Sequence, residues 1–415
     1  MKFEYLKSLG VIAFCFGMAS VCAAQNPPAA PAPADQAAAP AAPAAPAAPM
    51  PLPTPAITGP LSSAPPFIFD AGPFGNIAVN GILSGMALTQ TNHLPYPVDD
   101  VFQSAISNAQ VFIQKTDGWF QFYLQAGAYN IPALGVPYLS TQKTITELWS
   151  PIPQAFAKVQ AGKNTSILIG ALPTLIGAEY TFTFENMNID RGLLWNQENA
   201  VNRGIQVNQT MGKFSASLSW NDGFYSNRYT WLWGSLAYTN GPHALSFVAG
   251  GNYDHTAFQT YATPVQNNSS IYNLIYTYTK GAWILQPYFQ YTSVPTDVAI
   301  GIVKGNSTVG AAILVSRAFS HGFSLAGRVE GISSTGSATD GSVNLMYGPA
   351  SNGFSFTATP TFQHGGFFAR GDIAWVHVGS LTPGLGFGSA GLDQNQFRGA
   401  IEAGFIFGDN IVKKP

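Results

Sequence analysis

The chain has 415 residues, 46% hydrophobic and 13% aromatic but only 9% charged, and a net charge of −2. Soluble domains carry about a quarter of their residues as charged side chains, so the composition argues against an ordinary soluble enzyme. The lack of a basic excess argues against a nucleic-acid partner.

The N-terminus reads "MKFEYLKSLGVIAFCFGMASVCAAQ". Lys2 and Lys7 precede an apolar run from Leu9 that closes on Ala23 and Ala24, the form of a secretory signal peptide over residues 1–24. Both cysteines, Cys15 and Cys22, lie inside it, so a chain cut before Gln25 has no disulfide, thiolate or cysteine-zinc chemistry. Residues 25–66 follow as an Ala/Pro repeat whose lone charge is Asp35. Proline at this density blocks helix and sheet alike. The segment reads as a disordered, polyproline-like linker with a reach approaching ~100 Å at about 3.1 Å per residue. It serves either as a spacer or as an interaction arm toward a periplasmic or cell-wall contact.

Residues 67–408 alternate between strand and turn, and 409–415 form a polar tail. Candidate strands are 74–90, 104–115, 119–130, 152–162, 164–171, 204–211, 213–222, 228–240, 243–254, 269–280, 282–293, 306–317, 321–332, 342–348, 353–364, 366–379 and 396–407. Many match the roughly 9–11 residues that a tilted strand needs to cross a bilayer, and no apolar run of about 18 or more follows the leader to make a spanning helix. Several turns are tight and glycine-centred (Asp117-Gly118, Gly162-Lys163, Gly241-Pro242, Gly281, Gly365), whereas the alternate connections are long. The list is odd in number and single-chain bacterial barrels are even, so one segment is not a strand.

The strands have two unlike faces. Phe214, Ala216, Leu218 and Trp220 oppose Ser215, Ser217 and Ser219; Phe354, Phe356 and Ala358 oppose Ser355, Thr357 and Thr359; Phe397, Ile401 and Phe405 oppose Arg398 and Glu402. The few charges within strands share the small polar face, with opposite signs placed together. A soluble sandwich would instead scatter Lys and Glu over its surface, so the polar face is expected to be a wet interior and the apolar face to meet lipid. Trp119, Trp220, Trp231, Trp233, Trp283 and Trp375, near strand ends, read as interfacial girdles. Pro287 and Pro360, inside strands, read as bulges or strand ends. The expected fold is all-β, a transmembrane antiparallel up-and-down β-barrel of about 16 strands, with 14–18 open.

Two stretches, "ISNAQVFIQKTDGWFQFYLQAGAYNIPALG" (106–135) and "AFAKVQAGKNTSILIGALPTLIGAEYTFTFENMNIDRGLLWNQENAVNRGIQV" (155–207), resemble the OmpL-like β-barrel porins. The likeness rests on the Gly162-Lys163 step, the P-T-L-I-G-x-E stretch ending at Glu179 and the G-I-x-V strand from Gly204 to Val207. It implies an outer-membrane channel with no catalytic residues and no cofactor.

Scarce charge concentrates in the connection 172–203, which holds Glu179, Glu185, Asp190, Arg191, Glu198 and Arg203. A connection this long is usually functional. It is either a solvated outer loop or a constriction folded into the lumen, where charged side chains would select by sign. The wall candidates are Lys158, Arg328, Glu330, Arg370, Asp372, Arg398 and Glu402, as selectivity residues or as mutually neutralising structural pairs. The G-x-G-x-x-G spacing at Gly386, Gly388 and Gly391 sits between strands, the wrong context for a dinucleotide site, and the six histidines show no metal-ligand spacing. The leading functional expectation is a passive water-filled channel for small hydrophilic solutes or ions, in contact with outer-membrane lipid and compatible with a homotrimer. A narrow structural barrel that uses the Ala/Pro arm, and a rim-site hydrolase, are the alternatives.

Overall fold

The structure, a computed structural model, describes residues 55–57, 59–96, 99–257 and 264–409. The leader and most of the Ala/Pro repeat and the polar tail lie outside the described residues. The strands are β1 (Phe67–Asp70), β2 (Asn76–Gln90), β3 (Phe102–Lys115), β4 (Phe120–Tyr129), β5 (Gln154–Gln160), β6 (Thr165–Pro173), β7 (Val201–Met211), β8 (Phe214–Asn221), β9 (Trp231–Asn240), β10 (His243–Asn252), β11 (Ser270–Lys280), β12 (Trp283–Val294), β13 (Asn306–Ala318), β14 (Phe323–Ser334), β15 (Asn352–His364), β16 (Phe367–Gly379) and β17 (Asn395–Phe407). From β2 onward each pairs antiparallel with the next, and β17 returns to β2 from Arg398↔Gln90 to Phe407↔Gly81, which closes a 16-strand barrel with no free edge. Short β1 pairs with β2 from Phe67↔Val79, just past the point where β17 stops, and so prolongs the β17 row.

The connections sort by length. Turns 116–119, 161–164, 212–213, 241–242, 281–282, 319–322 and 365–366 share one rim with β1 and the end of β17. The long connections, 174–200 among them, leave the other rim. Segment 342–348 is the expected strand that does not form. The Asn344 side chain accepts the Met346 and Gly348 N–H groups and bends the chain into a turn. Pro287 and Pro360 produce neither bulge nor strand end. Each leaves a gap in the ladder on one side, toward β11 and β16 respectively, with the register unchanged across it.

The face assignment holds. Leu83, Leu218, Phe289, Phe356, Ile373, Ile401 and Phe405 point outward and exposed, whereas Ser355, Thr357 and Thr359 are fully buried inside. Trp119, Trp220 and Trp283 are exposed near the rims, but Trp231 and Trp233 depart from the girdle expectation. They occupy the inward parity of β9, stack at 5.4 Å and pack with Phe224. Because Ile373 is mid-strand and 68% exposed, Ile373→Arg is expected to cost roughly 2–4 kcal/mol in a bilayer, and Leu285→Arg, near the short-turn rim, about 0–1. Gln286→Arg, on the inward face, should be tolerated, whereas Thr357 lacks the room that a wet interior would have given it. Urea midpoints of the refolded variants check this, and equal losses at 373 and 286 would reverse the assignment.

The end of the Ala/Pro segment is packed against the barrel, contrary to its expectation as linker up to residue 66. Leu61 and Ala64 are buried. The Ser62 N–H donates to Gln363 Oε1 at 2.7 Å, Gln363 Nε2 returns a bond to the Ser62 carbonyl at 2.9 Å, and the Asp409 N–H meets the Pro65 carbonyl at 2.7 Å. Gly59 passes so close to the Asn186 carbonyl that a Cβ would stand 2.5 Å from it. The physical reason is composition: the repeat gives way to "ITGPLSS", whose Ile57 and Leu61 have apolar surface to bury.

Candidate functional site

Connection 174–200 folds into the barrel, as the constriction reading expected, and residues 181–194 are buried throughout. Its apolar residues drive it inward. Phe182 meets the Tyr129 ring edge-on at 5.2 Å, Phe184 packs 5.6 Å from Phe112, and Leu193 and Leu194 join the interior cluster with Leu314 and Ile332. The backbone polar groups that enter with them need partners. Local side chains supply some: Asn186 Oδ1 accepts the Tyr180 N–H at 2.7 Å, and Glu185 Oε2 accepts that of Phe182 at 3.1 Å.

The wall charges supply the rest. On β14, Arg328 donates to Glu179 Oε1 at 2.6 Å, the Asp190 carbonyl at 2.7 Å and Thr357 Oγ1 at 3.1 Å. Two residues on, Glu330 accepts the Leu193 N–H at 2.8 Å and lies so close to Gly192 that a Cβ there would stand 2.4 Å from its carboxylate. On β16, Arg370 donates to the carbonyls of Thr183, Asn186 and Met187 at 2.9, 3.1 and 3.1 Å, while Asp372 Oδ2 accepts the Asp190 N–H at 2.8 Å. On β17, Arg398 reaches Asp190 Oδ1 at 2.9 Å and the Ala133 carbonyl at 2.8 Å, and Glu402 accepts Thr183 Oγ1 at 2.8 Å. Arginines hold carbonyls and carboxylates hold N–H groups, so one polar wall grips both polarities of the connection's backbone. Within the connection, Arg191 caps the Ile189 carbonyl at 3.1 Å and lies over the Trp195 ring at 5.5 Å.

This arrangement corrects the expectation that these charges line open water. Glu179, Glu185, Asp190, Arg191, Arg328, Glu330, Arg370, Asp372, Arg398 and Glu402 are all buried. Lys158 and Arg203 are not, and Arg203 is paired with Asp222 at 2.7 Å and stacked 3.9 Å over Tyr225. Burial pushes Glu185 up to about 7, against the Phe182 and Ala56 N–H groups that favour its ionised form. A carboxyl with a raised folded pKa holds its proton more tightly folded than unfolded, so its stabilising share is present below about 4.5 and is lost as pH rises through about 7. Urea midpoints should therefore fall over that interval, and Glu185→Gln should flatten part of the slope; an unchanged slope would contradict the assignment. Burial, with Glu179 and Glu330 nearby, holds the Glu198 carboxyl well above the ordinary range.

Two cavities remain beside the connection. One, of about 430 Å³, lies toward the short-turn rim and is lined by Ala56, Lys158, Glu185, Gln154, Gln206 and Asn208 among others. The other, of about 310 Å³, lies toward the long connections and includes Trp149, Trp195, Glu198 and Ala200. Thr181, from the first, donates to the carbonyl of Ala200, from the second, at 3.1 Å, so a thin hydrogen-bonded layer separates them.

Residues 76–407 match the family model described as "Putative beta-barrel porin-2, OmpL-like". The chain belongs to this family. The porin accordingly resides in the bacterial outer membrane, with its short turns on the periplasmic side and its long connections outside. Solved barrels share its fold at low identity. The anion-selective porin of Comamonas acidovorans has a TM-score of 0.54 at 12% identity and covers 80% of this chain and 99% of its own. The outer membrane channel DcaP of Acinetobacter baumannii gives 0.55 at 9%, covering 80% and 97%, and the outer membrane protein OmpT of Vibrio cholerae 0.54 at 11%, covering 82% and 100%. No curated protein matches the porin in sequence.

Sequence reasoning missed the packed end of the arm, the inward Trp231–Trp233 pair and the wall amides that hold the connection, Asn108 donating to Thr183 Oγ1 at 2.7 Å and Gln290 to the Leu194 carbonyl at 3.0 Å. The last had a legible signal, since these amides fall on the inward parity of their strands.

Proposed function

We propose that the porin is a passive, non-enzymatic channel for small hydrophilic solutes, with a path that follows the β5–β8 side of the lumen. The single observation that carries this is the placement of the two cavities end to end on that side, parted by the Thr181–Ala200 layer, while the β14–β17 side is closed by the clamp. On this reading the wall charges fix the bore of the channel and do not line it. Segment 59–66 narrows the periplasmic mouth, and the repeat before it is a spacer behind a cleaved leader. A homotrimer fits the reading, as the Vibrio cholerae OmpT barrel is described in a trimer form.

The fullness of the interior favours the second reading, a structural barrel with the Ala/Pro arm as its interaction element. Planar-bilayer recording of the purified, folded barrel separates the two: steps of small, steady conductance support the channel, and silence supports the structural barrel.

A further inference from the structure

We propose that the periplasmic-side cavity is a subsite for small organic monoanions, and that Lys158 makes the channel prefer anions. The inference rests on the channel reading above. Lys158 sits on β5 with its side chain half-exposed in the lumen, facing the 430 Å³ cavity. Among the described residues it takes part in no ion pair; Arg203, Arg328, Arg370 and Arg398 are each paired with a carboxylate, and Arg191 is buried within the connection on the Ile189 carbonyl and the Trp195 ring.

Among the described residues, the acids near the path form no ion pair with it. Both Glu185 oxygens are held by backbone N–H groups, those of Ala56 and Phe182, each at 3.1 Å. Glu198 is buried in the lining of the outer cavity, beyond the Thr181–Ala200 layer. Lys158 is therefore the unpaired positive charge in the lining of this cavity, whose low-dielectric walls concentrate its field.

The rest of the lining sets the kind of anion. Phe156, Leu168 and Pro173 offer apolar surface, and Gln154, Ser166, Gln206 and Thr174 offer polar edges. A solute with one anionic group and a compact apolar body suits this lining: the anion meets the ammonium and the body rests on the Phe156 and Leu168 side. A divalent anion would find no second cation, and an organic cation no free carboxylate.

The test uses benzenesulfonate, which keeps its charge at all working pH values, with the full-length folded barrel in detergent for calorimetric titration and in planar bilayers for salt-gradient reversal potentials. Wild type is expected to bind benzenesulfonate in preference to benzyltrimethylammonium and to pass chloride more readily than potassium. Lys158→Gln should weaken binding about tenfold and remove the ion preference. Lys158→Glu should invert the preference, and Lys158→Arg should keep both properties. Gel migration confirms that each variant is folded. Binding that depends on Lys158 in a barrel that does not conduct would uphold the subsite and remove the channel. Conduction whose ion preference and benzenesulfonate binding survive Lys158→Gln would overturn the subsite and leave the channel standing.

Discussion

Arg370→Ala is expected to widen the channel without unfolding the barrel. The Arg370 guanidinium serves the carbonyls of Thr183, Asn186 and Met187, the first of which also accepts the Asn186 N–H, and lies 3.7 Å from Glu402. Removing it takes the guanidinium from three buried carbonyls, of which Thr183 keeps its backbone partner, and leaves a buried carboxylate without its cation, a loss on the order of 3–5 kcal/mol. That loss falls on the contact between connection and wall. The β15–β16 and β16–β17 ladders use backbone bonds and are untouched. The barrel should keep its heat-resistant migration, residues 181–194 should become open to protease, and single-channel conductance should rise several-fold. Arg370→Lys should fall between, since a point charge cannot reproduce the forked contact. An Arg370→Ala barrel with wild-type conductance would show that the clamp does not set the bore.

Deleting 25–66 behind an intact leader is expected to raise conductance as well, from the periplasmic side. The deletion removes Leu61 and Ala64 from the interior, the Ser62–Gln363 bond pair and the Ala56 N–H that caps Glu185. It spares β1 and the β2–β17 closure, so assembly should persist. Deleting 26–54 alone should leave conductance near wild type. Equal effects of the two deletions would contradict a special role for the packed end, and loss of assembly only in the longer one would assign that end to folding instead.

The barrel was legible because each strand carries its own two-faced pattern of period two, and a pattern of that kind survives any choice of neighbour. Phe354 to Thr361 announces both its strand and its inward side before any partner is known. The clamp was not legible for the opposite reason. Glu179 and Arg328 stand 149 residues apart, and nothing local in either strand or connection says that they meet. The inward polar face was read as wet because Ser, Thr and Arg usually are. Here backbone from 181–194 takes the place of water, and the same residues serve as its hydrogen-bond partners. Trp231 and Trp233 misled in the same way: a tryptophan near a strand end suits an interface, but parity places these two inside.

Single-channel current through the wild-type barrel beside Arg370→Ala in one planar-bilayer experiment tests the central claim most directly. The account predicts discrete steps for both, small for wild type and several-fold larger once the connection is released. Two folded barrels that both pass no ions, or that share one conductance, would contradict a channel whose bore is set by the clamped connection.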